Sequence, residues 1–294
     1  MLKSLQQNIE ITNLSNFKTK AFTKYYFEIN NENDILNLKE ILEFAGKNTL
    51  KVLFVGAGTN MLFAFNLFDG IVIKNNLKGY DYNENTKILE VYSSEKITQI
   101  ALDLENNYNQ NIWHRFIGLP GSVGGALFGN AGCFGLETEN NFLKAIVYNL
   151  STNKLETLTK DELNFSYRSS LFKQTKNYFI IKIYFDLSKI VEKYSSDVDN
   201  IKFRKELQPK GNSCGSFFKN PSKENSAGSL IEGVGLKGFI YNNAYFSDKH
   251  ANFLMTLKDN GDYKDLIYLI KLAQEKVLSK FDLLLENEVQ IITN

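Results

Sequence analysis

Seven glycines fall within eighteen residues between Gly118 and Gly135, in the run GLPGSVGGALFGNAGCFG. Glycine surrenders more backbone freedom on folding than any other residue, so such density is hard to justify in a mere surface linker. Two uses remain open. Backbone can pack closely on backbone, or small residues can clear space for a flat or extended ligand whose polar atoms meet amides and the Ser122 hydroxyl. Either way the run must be held by the rest of the fold.

A second glycine loop, Gly56-Ala57-Gly58-Thr59-Asn60, directly follows the strand-like run KVLFV at 51–55. Successive amides in such a turn can converge on a phosphate oxygen. The dinucleotide fingerprint would need a further glycine where Met61 stands, and a crossover helix before the strand beginning near Gly70. An ordinary doubly wound nucleotide fold is therefore disfavoured. A strand-connecting turn and a phosphate cradle in another fold both stay open. The third loop, GNSCGSFFKNP at 211–221, sets Ser216 between a glycine and two aromatics, with Lys219 and Asn220 close behind. It reads either as a rigid turn or as a shielded site with a proton source and an anion contact.

The charge balance excludes other classes of function. With 34 Lys plus Arg against 33 Asp plus Glu, no net field favours nucleic acid or an anionic bilayer. Cys133 and Cys214 cannot frame a disulfide scaffold, and His114 and His250 stand apart from any zinc spacing, so no metal is expected. No basic start leads into an apolar secretion core, and no eighteen apolar residues run together. The expectation is a cytoplasmic protein without membrane insertion and without a nucleic-acid partner.

Periodicity predicts a strand around Tyr25 to Ile29 and a helix over 31–46, carried by Ile35, Leu38, Ile41, Leu42 and Ala45. Strand-like runs cover 70–74, 87–92, 142–150, 154–158 and 178–187, and 96–107 suits a helix. The segment 188–208 is polar and helix-compatible, and a domain boundary is placed in or near it. An amphipathic helix at 262–280, built on Leu266, Ile267, Ile270, Ala273 and Val277, precedes a strand over 283–292. The class is α+β, with glycine loops concentrated at the boundaries, which suits an enzyme.

Several longer motifs occur in order: FVGAGTNMLF, GLPGSVGGALFGNAGCFG, FSYRSSLF, GSFFKNP, AGSLIEGVGLKG, SDKHANFLMT and LLLENEVQII. From about residue 15 to the end the chain resembles the UDP-N-acetylenolpyruvoylglucosamine reductases, also called UDP-N-acetylmuramate dehydrogenases, in their shorter form. The resemblance implies a PCMH-type, two-part FAD-binding domain over 1–195 and a C-terminal α/β substrate-binding domain over 196–294. It implies noncovalent FAD reduced by NADPH, then hydride transfer to UDP-N-acetylglucosamine enolpyruvate in peptidoglycan precursor synthesis, by an enzyme expected to be monomeric.

Site residues follow from the same resemblance. Gly56, Ala57, Gly58, Thr59 and Asn60 would contact FAD, as would Gly118, Pro120, Gly121, Ser122, Gly124 and Gly125, and Asn130, Ala131 and Gly132 after them. Arg168, in Tyr167-Arg168-Ser169-Ser170, would hold the substrate carboxylate, a task that suits a rigid, permanently charged fork; an interface salt bridge is its structural alternative. Ser216 matches the proton donor. Glu288 matches the catalytic glutamate, although Glu286 lies two residues away and a swap stays open. Tyr167, Lys219 and Asn220 would bind substrate. The chain departs from the usual pattern at FKTKAFTKYY (17–26), at YNNA (241–244) and at Cys133. Two rivals remain: another FAD oxidoreductase acting on a small alcohol or sugar, and a non-catalytic nucleotide-sugar binding protein.

Overall fold

The strand Tyr178–Asp186 is long and largely apolar, and it lies at the centre of a five-stranded antiparallel sheet. The computed structural model describes residues 4–191, 199–222 and 224–294. The sheet runs Lys154–Thr159, Phe142–Asn149, Tyr178–Asp186, Ile88–Tyr92, Tyr80–Asn83, with Ala145 opposite Ile183 and Val91 opposite Ile183 on the other side. Phe179, Ile181, Ile183 and Phe185 alternate along it and are buried, as a strand with its neighbours on both edges requires. Helix Ile97–Tyr108 buries Ile97, Ile100, Ala101 and Leu104, the spacing of one helical face. Trp113 completes this core, edge-on to Phe185 at 4.7 Å and to Phe116 at 5.4 Å.

The chain divides into two compact units. One comprises Met1–Leu5, Tyr26–Ala57 and Ile71–Arg204 and contains the sheet just described; the other comprises Gln6–Tyr25, Gly58–Gly70 and Lys205–Asn294. A further sheet is ordered Gln6–Glu10, Phe22–Ile29, Leu67–Asn75, Lys51–Val55. In the second unit, Asn212–Ser216, Phe253–Thr256, Ala244–Phe246 and Ile240–Tyr241 form a four-stranded sheet. Helix Tyr263–Phe281 buries Leu266, Leu269, Ile270, Ala273 and Val277, with Ile267 at the margin of that seam. The segment that departs from the reductase pattern is part of this core: Phe17 is fully buried, 6.2 Å from Phe217, and its carbonyl accepts from Thr256 Oγ1 at 2.9 Å.

Three expected elements are corrected. The helix over 31–46 is two helices, Glu32–Ile35 and Leu38–Lys47, because Leu36 and Asn37 donate three residues back, to Asn33 and Asp34, and tighten the turn between them. In the segment 188–208 only Asn200–Leu207 is helical; Asp186 accepts from both the amide and hydroxyl of Ser188 and turns the chain out of the preceding strand, while 192–198 lie outside the described residues. The strand over 283–292 shrinks to Gln290–Ile292, parallel to Met61–Phe63. Upstream of it the amides of Glu288 and Val289 both turn to the Phe217 carbonyl, so no ladder can continue there. Among the described residues, no helix is long and apolar enough to cross a membrane.

Candidate active site

The loop after strand Lys51–Val55 is fixed by contacts only glycine permits. Gly58 has φ +70°, and a methyl group on it would lie 1.9 Å from the Leu14 carbonyl oxygen. The Asn16 amide donates to the Gly58 carbonyl at 3.1 Å. Lys74, half-buried on strand Leu67–Asn75, donates to the carbonyls of Gly56 and Asn75. Among the described residues the amides of Ala57, Gly58, Thr59 and Asn60 donate no hydrogen bond.

The second loop meets the first at one hydroxyl. A Cβ on Gly56 would lie 3.1 Å from Ser122 Oγ, and one on Gly125 would lie 3.2 Å from it. Ser122 caps helix Val123–Phe128 by accepting from the Gly125 amide. The amides of Gly121 and Ser122 donate no hydrogen bond among the described residues. Gly118 and Gly121 take φ +82° and +123°, and Pro120 and Gly125 are exposed.

Other members of the expected cofactor set serve the fold. The Gly124 amide donates to Ser93 O at 2.7 Å, and a Cβ there would come within 2.6 Å of the Ser93 side chain, so its close approach is to the protein itself. Asn130 is fully buried, donates to Glu137, Glu139 and the Ser166 carbonyl, and accepts from the Glu139 amide. The Ala131 amide donates to Ala126 O, and the Gly132 carbonyl accepts from Arg168 at 2.8 Å.

Arg168 has φ +54°, an uncommon conformation for a side-chain-bearing residue, inside a turn closed by reciprocal bonds between Ser166 and Ser169. Lys173 Nζ donates to its carbonyl at 2.9 Å, and its guanidinium lies 5.0 Å from the centre of the exposed Tyr167 ring. Burial, and then the hydrogen bond and charge of Glu139, hold the Glu137 carboxyl above the usual carboxylate range, against the opposing charge of Arg168. The fork is therefore anchored through Gly132 and set beside a carboxylate pair.

In the other unit, Ser216 ends strand Asn212–Ser216 after a register shift against Phe253–Thr256, with Gly215 at φ +78°. Such a bulge re-aims the following side chain. The Ser216 hydroxyl makes no hydrogen bond among the described residues. Asn252 locks the two aromatics that follow, accepting from the Phe218 amide at 2.9 Å and donating to the Phe218 carbonyl at 2.8 Å. Glu288 is tied next to Ser216 by its backbone: its amide donates to Phe217 O at 2.8 Å, and its carbonyl accepts from Asn60 Nδ2 at 3.3 Å. Glu286 pairs with Lys219 at 3.1 Å. Asn220 Oδ1 accepts from the Ala227 amide at 3.0 Å, which leaves its amide nitrogen as the donor.

Sequence reasoning missed Lys74, Ser93 and Asn252. Lys74 stands at the end of a strand and Ser93 just beyond one, with nothing local to mark them, whereas Asn252 lies in the motif SDKHANFLMT. Neither thiol is reactive at neutral pH: burial pushes Cys214 up to about 12 and raises Cys133 as well.

Comparison with known proteins bears on both halves of the chain. A family model described as UDP-N-acetylenolpyruvoylglucosamine reductase, C-terminal domain, matches residues 208–292, and one described as an FAD binding domain matches 26–151. The UDP-N-acetylenolpyruvoylglucosamine reductase of Aquifex aeolicus is 33% identical over 291 residues, covering 97% of this chain and 94% of that protein. That of Fervidobacterium nodosum is 32% identical over 289 residues, covering 97% and 90%. The crystal structure of the Thermus caldophilus reductase matches with a TM-score of 0.76 at 21% identity, covering 98% of this chain and 100% of that one, a likeness of fold.

Proposed function

We infer the chemistry from one premise: the chain belongs to the UDP-N-acetylenolpyruvoylglucosamine reductase family. It is an FAD-dependent oxidoreductase that reduces the enolpyruvyl group of UDP-N-acetylglucosamine enolpyruvate, giving UDP-N-acetylmuramate for peptidoglycan synthesis. NADPH is the hydride donor, and the enzyme works as a cytoplasmic monomer. The observation that carries the reading is the pair of glycine loops at Ser122, with the amides of Ala57, Gly121 and Ser122 donating to no acceptor among the described residues. That donor set fits the pyrophosphate of FAD.

FAD, when bound, supplies the relay of a hydride from a nicotinamide to a substrate carbon. The chain's own residues handle charge and proton. Arg168 binds the substrate carboxylate through its fork, held for that purpose by Gly132. As hydride arrives at the methylene carbon, electron density moves to the carbon bearing the carboxylate, and Arg168 stabilises it. Ser216 Oγ, which makes no hydrogen bond among the described residues, gives its proton to that carbon. Glu288 assists the same step, and Tyr167, Lys219 and Asn220 hold the nucleotide sugar. With Oδ1 spoken for, Asn220 serves as a donor to phosphate.

A yellow purified protein that releases free flavin on denaturation, bleaches anaerobically with NADPH and recovers its colour with the enol ether is the expected result. Colourless protein that takes up no added FAD would overturn the reading.

A further inference from the structure

The first glycine loop leans on a charge that the flavin reading does not use. Lys74 comes from strand Leu67–Asn75, and its ammonium group is bonded to the carbonyl of Gly56, the residue that opens the loop. The carbonyl of Asn75 takes a second bond at 3.3 Å. On the far side, the Ser122 hydroxyl closes off the space a Gly56 side chain would fill. The Gly56–Ala57 peptide is thus held at its carbonyl by Lys74, beside a hydroxyl that leaves little room for a side chain on Gly56.

A trans peptide is planar, with its C=O and N–H pointing to opposite sides. A carbonyl turned to Lys74 therefore turns the Ala57 amide away from Lys74, and that amide has no protein acceptor among the described residues. The ammonium also offsets the negative end of the Gly56 carbonyl at the loop. Without the lysine, nothing in the described structure prevents the peptide from flipping and presenting oxygen instead of N–H.

We propose that Lys74 is a positioning residue for the cofactor: by holding the Gly56 carbonyl it sets the Ala57 amide to donate to a phosphate of FAD. The proposal rests on the flavin reading of this family. The charged groups acting on Lys74 are Glu28, from the neighbouring strand Phe22–Ile29, and Lys78 in the turn beyond its own strand. Glu28 is itself bonded by the Tyr26 hydroxyl at 2.7 Å. Burial, the dominant influence, lowers the proton affinity of Lys74 from the ordinary 10.5. The positioning charge is therefore lost at lower pH than that of an ordinary lysine.

The test is fluorescence titration of the full chain, freed of flavin, with FAD between about pH 7 and about pH 10.5, a range that spans lysine deprotonation. Wild type, Lys74→Met and Lys74→Arg are compared. The Met variant should bind FAD about 10- to 100-fold more weakly at neutral pH, as expected for losing one charge-assisted contact. Wild-type affinity should fall as pH rises, and the Met variant should lack that fall beyond whatever free flavin contributes to both. The Arg variant should keep neutral-pH affinity within about threefold and hold it to higher pH, because arginine stays charged. Equal FAD affinity in wild type and Met variant overturns the proposal, as does a weakened Met variant that keeps the wild-type pH slope. Should the Met variant not fold, the Arg variant decides: a pH dependence identical to wild type removes Lys74 from the role. Wild type that binds no FAD at any pH would instead defeat the family's flavin reading.

Discussion

Replacing Ser216 with alanine separates chemistry from folding, because the structure makes the two effects very different in size. Ser216 is half-buried, its hydroxyl makes no hydrogen bond among the described residues, and the bulge that aims it depends on Gly215 rather than on the serine side chain. Removing that oxygen should change stability by no more than about 0.5 kcal/mol. A positioned acid contributes about 100- to 10,000-fold, or about 2.7 to 5.5 kcal/mol of barrier. The loss of rate should therefore far exceed anything a folding defect could produce. Anaerobic stopped-flow resolves the two half-reactions. In the Ala variant, flavin reduction by NADPH should stay near wild type while its reoxidation by the enolpyruvyl substrate slows by that factor. Cysteine at 216 should restore part of the rate, since a thiol also donates a proton. Solvent deuterium should appear at the carbon next to the carboxylate in wild type. Normal reoxidation and normal protonation in the Ala variant would remove Ser216 from the acid role.

Gly58→Ala should be far more damaging than Gly56→Ala. The first adds a left-handed penalty of about 1 to 2 kcal/mol to a 1.9 Å collision with the Leu14 carbonyl oxygen, while the second meets only the rotatable Ser122 hydroxyl at 3.1 Å; urea midpoints of the two variants check the order. Arg168→Lys should slow substrate reduction about 30- to 1,000-fold, equivalent to about 2 to 4 kcal/mol, and spare flavin reduction, because the charge survives without the paired donors. Equal damage to both half-reactions would point to a disturbed turn instead. His250 gives the protein an acid-side weakness: burial lowers its proton affinity, and its Nδ1 accepts from the Asn252 amide. Because the unfolded chain takes up the proton first, stability should be constant above about pH 6.5 and fall below it. In His250→Gln the drop in denaturation midpoint between about pH 7.5 and about pH 5.5 should be smaller, and an unchanged drop would assign it to other groups.

How much of this was legible depended on whether the signal was local. Four of the five strands in the sheet around Tyr178–Asp186, and helix Ile97–Tyr108, follow from periodicity, which one segment carries by itself, whereas the short edge strand Tyr80–Asn83 was not expected. The density of glycine at 118–135 correctly marked a run needing special backbone, yet it could not say what each glycine approaches. Gly124 is compelled by Ser93, a residue of the chain itself, so a bulky substitution there would disturb folding before it obstructed a ligand. Gly56 and Gly125, by contrast, frame the Ser122 hydroxyl. Lys74 was invisible because its role arises from a backbone carbonyl eighteen residues away, and nothing in the strand sequence distinguishes it from a solvated lysine. The same reason hid the end of the final strand: the Phe217 carbonyl that draws off two amides lies about seventy residues upstream, a distance no local propensity can register.

The two C-terminal glutamates show what structure adds to a motif. A spacing of two residues would place Glu286 and Glu288 on the same face of a regular strand and leave their roles interchangeable. No regular strand forms there. A single bridge between Phe218 and Asn287 breaks the equivalence, with Glu286 and Glu288 falling on either side of it. On one side the Lys219 amide donates to Glu286 O, and the Lys219 and Glu286 side chains pair in a position where the carboxylate is 65% exposed and screened by water. On the other side the Glu288 amide is bonded to the carbonyl of the residue after Ser216, and its own carbonyl is bonded by Asn60 of the first glycine loop. Backbone bonds to both flanking motifs fix where Glu288 stands whatever its side chain does, whereas Glu286 has one backbone bond, from Lys219, and commits its carboxylate to a solvated ion pair. A carboxylate that must sit within hydrogen-bonding reach of a reacting centre needs a fixed backbone, which supports the proposal that Glu288 rather than Glu286 takes the role.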